Sequence, residues 1–280
     1  MKAIVYTKYG PPDVLQLKDV ERPVPLNDEV LVKVHAASVN AYDWHFLTAD
    51  VFLIRLMGGG LLRPKKKTLG ADISGRVVAV GKNITRFQLG DQVFGTAKGG
   101  SGGFAEYVCA REKKLELKPT NVSFEEASAV PMAAITALQG LRNEGQIEPG
   151  EKVLIQGASG GVGTFAVQIA KSFGAEVTGV CSSRNVEIAR SIGADHVIDY
   201  TRDDFTKSGE LYDLILVVNG NLSIHEIKQA LMQNGICVLV GGGSGSIFDL
   251  LVGMLQEWWI SKTENKKIEK NTKFRSSNPA

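Results

Sequence analysis

The spacing of hydrophobic and polar positions changes near residue 123 of the 280-residue chain. Before that point, short β-branched runs alternate with glycine-rich turns, with almost no helical periodicity. The clearest runs are AIVY (3–6), EVLVKVHA (29–36), SGRVVAVG (74–81) and QVFG (92–95). Strands at this spacing predict a compact all-β barrel or sandwich over residues 1–122.

After residue 123, apolar strands alternate with amphipathic helices. A helix is predicted at SFEEASAV, where a serine N-cap is followed by glutamates in the first turn. The later segments are, in order, the strand KVLIQGA, the helix GTFAVQIAKSFG, the strand EVTGVCSS, the helix NVEIARSIG, the strands HVIDY and YDLILVV, the helix HEIKQALMQNG and the strand CVLVGGG. This alternation predicts a doubly wound parallel α/β sheet over residues 123–258.

Residues 259–280 form a polar, basic tail. Its last twenty residues carry six Lys/Arg against two Glu, and only Ile268 and Phe274 are appreciably apolar. Because such a segment has little to bury, we expect it to be disordered. The lysine run 65–67 lies in a loop that we expect to be exposed, and we interpret it as a solvated surface.

Composition narrows the class of protein. A net charge of +2 gives no reason to expect a nucleic-acid partner, and 44% apolar with 22% charged residues is typical of a globular domain. Three widely spaced cysteines form no CxxC pair, so neither a disulfide framework nor a cysteine-rich zinc lobe is expected. The longest apolar stretch, 247–260, is shorter than the roughly 18 residues that a membrane span requires. We therefore expect a cytoplasmic protein.

The strongest motif is KVLIQGASGGVGTFAVQIAK (152–171), a buried strand that runs into a glycine turn and an amphipathic helix. ASGGVG fills the G-x-G-x-x-G frame of a dinucleotide-binding turn with Ala158, Gly160 and Gly163. Amides at the start of the helix then favour an anionic pyrophosphate. The residues expected to contact it are Ala158, Ser159, Gly160, Gly161, Val162 and Gly163. The alternative is a glycine-rich turn without a ligand.

The end of the next strand indicates which dinucleotide binds. NAD sites place Asp or Glu there to hold the ribose 2′-hydroxyl, whereas this chain continues Cys181-Ser182-Ser183-Arg184. No carboxylate follows this strand to repel a 2′-phosphate, Ser182 can donate a hydrogen bond, and Arg184 supplies a fixed positive charge. NADPH is therefore the expected cofactor. Alternatively, Arg184 only faces solvent.

Several stretches occur together in one order along residues 1–260. They are PLNDEVLVKVHAASVNAYDW (25–44), LGADISGRVVAVG (69–81), LGDQVFG (89–95), GGFAEYV (102–108), QGASGGVG (156–163) and GADHVIDY (193–200). In these stretches the chain resembles the medium-chain dehydrogenase/reductase superfamily, and within it the zinc-free quinone oxidoreductase, or ζ-crystallin-like, branch. The resemblance implies a GroES-like β-barrel catalytic domain, a Rossmann domain, a cleft between them and a homodimer.

The resemblance also implies roles for single residues. Asn40 and Asp43 match a polar pair at the mouth of the nicotinamide pocket, Thr136 a residue that contacts the nicotinamide ribose, and Tyr200 a tyrosine beside the 2′-phosphate. Further cofactor contacts are expected at strand ends, at Asn219, Gly241, Gly242 and Gly243. Structural alternatives remain: Asn40 and Asp43 can cap a turn, and Tyr200 can be packing. The pair Trp258–Trp259 is expected to be core or subunit interface rather than a substrate platform.

Zinc-dependent relatives have cysteine, histidine and cysteine where this chain has Asn40, Ala71 and Met132, which are not good zinc ligands. The sequence therefore predicts an NADPH-dependent oxidoreductase that transfers hydride to a quinone or an activated enone or carbonyl without a metal. Asn40 would orient the acceptor oxygen, with Asp43 or a water nearby. The proton donor is open: His45 is a candidate, although a lone histidine without a visible partner is more often structural.

The resemblance stops near KTENKKI, where relatives continue with a helix and closing strands. We therefore expect a C-terminal truncation that lowers stability, because unpaired strand edges and apolar faces remain. The alternative function is a non-catalytic dinucleotide-binding protein, of the crystallin or sensor kind, that lost activity with that segment.

Overall fold

The computed structural model of the chain describes residues 1–50, 54–55, 60–219, 222–240 and 267–270. The chain divides into two compact units, Met1–Met132 and Ala133–Ala280. The sequence placed this boundary ten residues earlier, after residue 122. The difference arises because the helix that follows Ser123 packs on strands of the first unit.

The first unit is built on antiparallel strands, as its short β-branched runs predict. β1 (Lys2–Val5) pairs with β2 (Gln16–Asp19). A five-stranded sheet has the order β6-β3-β4-β5-β7. Its strands are β3 (Glu29–Ala37), β4 (Asp72–Val80), β5 (Gln92–Thr96), β6 (Tyr107–Arg111) and β7 (Leu115–Leu117). Val30, Val32 and Ile73 are fully buried in its core.

The described part of the first unit contains the α-helices α1 (Ala41–Thr48) and α2 (Phe124–Ala129), and only the second was predicted. The predicted helix is α2, whose N-cap hydroxyl, Ser123 Oγ, accepts a hydrogen bond from the Glu126 amide at 3.1 Å. The helix α1 was missed, because a short helix within a run of strands shows little periodicity. Its sequence signal is the Asn40-x-x-Asp43 spacing, which resembles a capping box.

A parallel sheet forms the second unit, in the order β10-β9-β8-β11-β12-β13. The chain enters it through α3 (Pro131–Leu138) and a π-helical turn (Gln139–Glu144). The strands are β8 (Lys152–Gln156), β9 (Glu176–Cys181), β10 (His196–Asp199), β11 (Tyr212–Val217), β12 (Leu231–Leu239) and β13 (Lys267–Lys270). The other helices are α4 (Gly161–Ser172), α5 (Val186–Ser191) and α6 (Ile224–Ala230).

Apolar side chains cover both faces of this sheet, which explains why its strands read as continuous hydrophobic runs. Ile155 and Leu216 pack on one face with α4 residues such as Val167. Leu154 and Ile215 pack on the other face with residues that include Ile227 of α6. The Rossmann-type, doubly wound architecture expected from the alternation is therefore confirmed.

Two expectations about the C-terminal part need correction. The helix over HEIKQALMQNG ends at Ala230, five residues early, because the backbone of Leu231 is extended and pairs with Tyr212 of β11. Within the tail expected to be disordered, Lys267–Lys270 form a strand parallel to β12. The remaining tail residues, and the pair Trp258–Trp259, lie outside the described residues.

The glycine turn fixes how closely α4 approaches β8. A Cβ on Gly163 would lie 2.0 Å from the carbonyl oxygen of Gly157 and 2.8 Å from the Cα of Ala158. Both neighbours are backbone atoms that cannot rotate away. A Cβ on Gly161, two residues earlier in the same helix, would meet open space.

We therefore expect Gly163→Ala to lower the free energy of unfolding by about 1–3 kcal/mol or more, since the helix must move off the strand. The matched control, Gly161→Ala, is expected to be neutral or to stabilise by up to about 1 kcal/mol, because alanine is the better helix former. Denaturant unfolding of the two variants measures both values. Equal stability of the two variants would contradict the close approach.

Candidate functional site

The glycine turn presents backbone amides at the carboxyl end of β8. Gly157 has a φ of +88°, which favours glycine, and it turns the chain at once out of the strand. The buried residue Ala158 donates its amide to Val180 of β9 at 3.1 Å. Gly160 is the N-cap of α4 and has no side chain to cap the first turn. The turn therefore holds the start of α4 at the edge of the sheet, and the absence of a side chain at the N-cap position leaves the first amides of α4 uncapped by that residue.

This helix start has the chemistry of an anion site. α4 has twelve residues, and the amides of a first helical turn have no partner within their helix. The helix dipole adds a partial positive charge at the same point. Since Gly161 is exposed and opens into free space, a ligand can approach the backbone closely here. Val162 is half-buried in the same turn.

Asn219 follows the end of β11 and lies beside the glycine turn. Its amide donates to the carbonyl of Gln156 at 3.4 Å, and a Cβ on Gly157 would lie 3.1 Å from that amide nitrogen. The side-chain oxygen Oε1 of Gln156 is buried without a hydrogen-bond partner. The parallel register of β8 and β11 brings these groups together.

Asn185 is a site residue that the sequence interpretation missed. Its side-chain nitrogen donates to Ser159 Oγ at 3.0 Å and to Ser182 Oγ at 3.2 Å. It thereby links the glycine turn to the end of β9, although 26 residues separate Asn185 from Ser159. Its position at the start of α5 was the only sequence signal.

A carboxylate lies next to the end of β9, contrary to the sequence argument that none is present there. Ser183 Oγ donates to Asp199 Oδ2, and Thr201 Oγ1 donates to Asp199 Oδ1 at 2.7 Å. The residues that follow β9 in sequence do not include this carboxylate, because the neighbouring strand β10 supplies Asp199, in register with Cys181.

Hydrogen bonds hold Asp199 in its charged form. The bond from Ser183 is the largest cause that lowers the pKa of this carboxyl, followed by those from Thr201. Arg202 Nε stands 3.6 Å from Asp199 Oδ2. The corner therefore contains one carboxylate and one neighbouring guanidinium, next to the exposed Arg184.

The other predicted cofactor residues include Tyr200, whose amide donates to the carbonyl of Cys181 at the end of β9 at 3.1 Å. Tyr200 is 59% exposed, so its alternative as core packing is not supported. Thr136 lies half-buried on α3. The predicted contacts at Gly241, Gly242 and Gly243 lie outside the described residues.

In the first unit, Asn40 and Asp43 do form a cap. Asn40 is the N-cap of α1, and its amide donates to Asp43 Oδ2 at 2.9 Å. Asp43 is 2% exposed, and its other oxygen accepts from the Gly70 amide at 2.8 Å. Burial raises the pKa of Asp43, while backbone hydrogen bonds oppose that shift. The structural role considered for this pair, capping a turn, is therefore observed at the start of α1.

Asp72, the first residue of β4, joins the pair at the centre of the cluster. This fully buried carboxylate accepts from the Asn40 side chain at 3.3 Å and from the Met132 amide at 2.8 Å, both at Oδ2. Thr96 Oγ1 donates to Oδ1 at 3.4 Å. Burial raises the pKa of Asp72 to about 6. Sequence reasoning missed it, although an aspartate inside the apolar run LGADISG was a signal.

The three positions at which zinc-dependent relatives have ligands converge on these two carboxylates. Asn40 and Met132 bond Asp72, and the Ala71 amide bonds Asp43. Their side chains are a carboxamide, a thioether and a methyl group. Within the part of the chain that the structure describes, no group of three or more His, Cys, Asp or Glu could hold a metal ion.

His45, the candidate proton donor, has a partner that the sequence did not show. Its Nδ1 stands 3.0 Å from Asp50 Oδ1, and both side chains are less than half exposed to solvent. Among the lysines of the 65–67 run, Lys65 and Lys67 are exposed as expected, whereas Lys66 is half-buried. The expectation of a solvated run is therefore wrong for Lys66.

Comparison with known proteins identifies the family. Residues 26–120 match the alcohol dehydrogenase GroES-like domain, and residues 161–261 match the zinc-binding dehydrogenase family. The chloroplast envelope quinone oxidoreductase homolog of Arabidopsis thaliana is 34% identical over 268 residues, which cover 90% of this chain and 78% of that protein. The chain belongs to the medium-chain dehydrogenase/reductase superfamily.

Other members of the superfamily extend the comparison. The 2-methylene-furan-3-one reductase of Solanum lycopersicum is 35% identical over 258 residues, which cover 86% of this chain and 62% of that protein. The structure of the quinone oxidoreductase from Coxiella burnetii superposes with a TM-score of 0.81 at 30% identity, covering 99% of this chain and 84% of that one. These similarities identify the chain as an oxidoreductase. None of its described helices is both long and apolar enough to cross a bilayer.

The raised pKa of Asp72 predicts a pH-dependent stability. Because the folded-state pKa of about 6 exceeds the ordinary aspartate pKa of 3.8, the folded protein holds this proton more tightly than the unfolded chain does. The associated stability is present below the unfolded-state pKa and is lost as pH rises through about 6. The shift corresponds to about 2–3 kcal/mol of unfolding free energy.

We expect Asp72→Asn to remove most of this decline between pH 4 and 7, because the amide cannot ionise and its oxygen can still accept from Met132. Denaturant unfolding across that range measures the difference from the wild type. The control, Asp91→Asn, changes a carboxylate outside this cluster and is expected to keep the wild-type slope. An unchanged slope in Asp72→Asn would contradict the assignment.

Proposed function

We propose that this chain is a zinc-free reductase that uses NADPH to reduce a quinone or an activated enone or carbonyl. The observation that carries the proposal is the uncapped start of α4 at the carboxyl end of β8, held there by Gly163 and flanked by Asn219 and Ser159. The names of the Arabidopsis and tomato relatives, a quinone oxidoreductase homolog and a furanone reductase, support the acceptor class.

The residues of the second unit fit a dinucleotide. The first-turn amides of α4 would bind the pyrophosphate, and the open space at Gly161 leaves room for it. Asn219 and Thr136 would contact the nicotinamide end. When bound, the cofactor supplies the hydride, so the protein needs only to orient the acceptor and exclude water.

NADPH rather than NADH is proposed on the balance of charge at the end of β9. Arg184 and Arg202 carry two positive charges there, against the single carboxylate of Asp199. Ser182 and Tyr200 would complete the contacts to the 2′-phosphate. The negative charge of Asp199 repels a 2′-phosphate. The preference for NADPH over NADH therefore depends more strongly on the positive charge of Arg184 than the sequence alone implied.

The donor set of the first unit does not fit zinc. Tetrahedral zinc sites are built from thiolates, imidazoles and carboxylates, whereas Asn40, Ala71 and Met132 offer at most a weak oxygen or thioether donor. Polarisation of an acceptor oxygen would therefore fall to hydrogen-bond donors. We propose Asn40 for this role, with Asp43 holding the helix start. Both hydrogens of the Asn40 amide have acceptors, Ser38 Oγ at 3.1 Å and Asp72 Oδ2 at 3.3 Å, so one of these bonds must open.

We also propose a homodimer, which rests on the resemblance, and a cytoplasmic location, which rests on the short length of the longest apolar stretch in the sequence. The non-catalytic alternative, a dinucleotide-binding crystallin-like or sensor protein, shares the glycine turn but needs no acceptor. Turnover therefore separates the two functions.

Stopped-flow absorbance at 340 nm with a panel of quinones and enones tests the activity. We expect NADPH oxidation that requires an acceptor and continues in EDTA. Asn40→Ala is expected to lower kcat by about 10²–10³-fold, because removal of one donor to a developing oxyanion has an effect of that size. Tight NADPH binding without oxidation by any acceptor would instead favour the non-catalytic function.

Calorimetric titration with NADPH and NADH tests the charge assignment. Loss of a charge-assisted bond of about 1.5–3 kcal/mol predicts that Arg184→Gln weakens NADPH binding roughly 10- to 100-fold and leaves NADH binding unchanged. Asp199→Asn should have the opposite effect on NADPH. The control Arg190→Gln changes an exposed arginine that pairs with Glu187 and should change neither affinity. Equal losses for both nucleotides in Arg184→Gln would contradict 2′-phosphate recognition.

A further inference from the structure

Lys66 is held in a way that its neighbours in the lysine run are not. Its ammonium donates to the Tyr42 hydroxyl oxygen at 2.7 Å and to the carbonyl of Gly99 at 2.5 Å. Lys66 is half-buried, and burial lowers the pKa of its ammonium group. A lysine that served only solubility would extend into water, as Lys65 and Lys67 do.

Two aromatic rings complete the setting of this ammonium. The rings of Tyr42 and Phe46 lie on α1 with centroids 4.5 Å apart and planes inclined at 39°. Lys66 Nζ lies 4.5 Å from the Phe46 centroid and 5.3 Å from the Tyr42 centroid, within the range of cation–π attraction. The cation and the phenol are therefore fixed relative to each other.

This pair borders the polar cluster of the first unit. Tyr42 stands between Asn40 and Asp43 on α1, and the nearby charge of Asp43 acts on both partners, raising the pKa of Tyr42 and opposing the lowered pKa of Lys66. On the other side, a Cβ on Gly100 would lie 3.0 Å from the Tyr42 hydroxyl. Tyr42 remains partly exposed, so a substrate or water can reach it.

The carboxyl groups of the cluster are less accessible than Tyr42, and Asn40 is not an acid. Burial raises the pKa of Asp43 and of Asp72, but both side chains are almost completely buried, and they accept hydrogen bonds from the Gly70 and Met132 amides. The phenol of Tyr42 is partly exposed, and it stays protonated at neutral pH because burial, and secondarily Asp43, raises its pKa. Besides Lys66, the titratable groups that act on Tyr42 are Asp43 and Tyr6, which follows β1 and whose own pKa burial raises to about 12.

We propose that Tyr42 donates the proton in the reduction and that Lys66 positions its hydroxyl and restores the proton. The inference rests on the proposed reductase function. Reduction of a quinone or enone by a hydride leaves a negative charge on the acceptor oxygen. The O–H bond of Tyr42 breaks, its proton passes to that oxygen, and the electron pair remains on the Tyr42 oxygen. A proton from Lys66 Nζ neutralises this phenolate, and water then reprotonates Lys66.

The test compares Tyr42→Phe, Lys66→Met and Lys66→Arg with the control Lys67→Met, which removes an exposed lysine next to the pair. NADPH oxidation with a quinone is measured from pH 6 to 10 in H₂O and D₂O. We expect Tyr42→Phe to lower kcat by about 10²–10⁴-fold with little change in NADPH affinity. Lys66→Met should lower kcat and shift the alkaline limb of the pH profile, Lys66→Arg should recover part of the rate, and Lys67→Met should behave as the wild type.

A second readout needs neither cofactor nor acceptor. In protein labelled with ¹³C at the lysine ε-carbon, the resonance absent from Lys66→Met should titrate below the other lysine resonances. Tyr42→Phe should move its midpoint, and Lys67→Met should not. Circular dichroism of each variant confirms that it is folded.

Wild-type kcat and an unchanged solvent isotope effect in Tyr42→Phe would overturn the inference while leaving the reductase function in place. So would a loss of rate in His45→Gln alone, which would assign the proton to the His45–Asp50 pair. If the wild-type chain binds NADPH but none of the quinones or enones oxidises it, the proposed function is overturned, and this inference with it.

Discussion

The approach of α4 to β8 is the constraint on which the second unit depends. With no side chain at Gly163, the helix backbone packs directly against the carbonyl of Gly157. That contact fixes where the helix begins, and so where its unpaired amides point. It also sets the position of Asn219, which lies against the same glycine turn, and of Ser159, which Asn185 ties to the end of β9. A single backbone contact thus defines the geometry of the whole candidate anion site.

The first unit addresses a different physical problem, which is how to bury two carboxylates. Asp43 and Asp72 are both almost completely buried, and amides of the backbone and of Asn40 supply most of their hydrogen bonds. Those bonds offset part of the desolvation, but Asp72 still has a raised pKa. Because both amide hydrogens of Asn40 already have acceptors, one of these bonds must open before Asn40 can orient an acceptor oxygen, as we propose, whereas the proton is proposed to come from Tyr42.

Sequence reasoning predicted the parts of the fold that follow from local periodicity. The strands of both units and the strand–turn–helix around Gly160 have strong signals that depend on few distant contacts. It missed what tertiary proximity decides. Asp199 comes from the strand beside β9, and Asn185 bonds Ser159 of the glycine turn. Lys66, within a run of lysines, lies against the rings of Tyr42 and Phe46. The short helix α1 was missed because one capping motif is weak evidence among strands.

Hydrogen exchange of the backbone amides, with and without NADPH, tests the central claim most directly, since it reports on the groups proposed to hold the pyrophosphate. The account predicts that saturating NADPH slows exchange in the segment from Gly157 to Thr164, with a smaller effect at Ser182–Arg184 and none in β3. Binding of NADPH that leaves exchange in the glycine turn unchanged would contradict it.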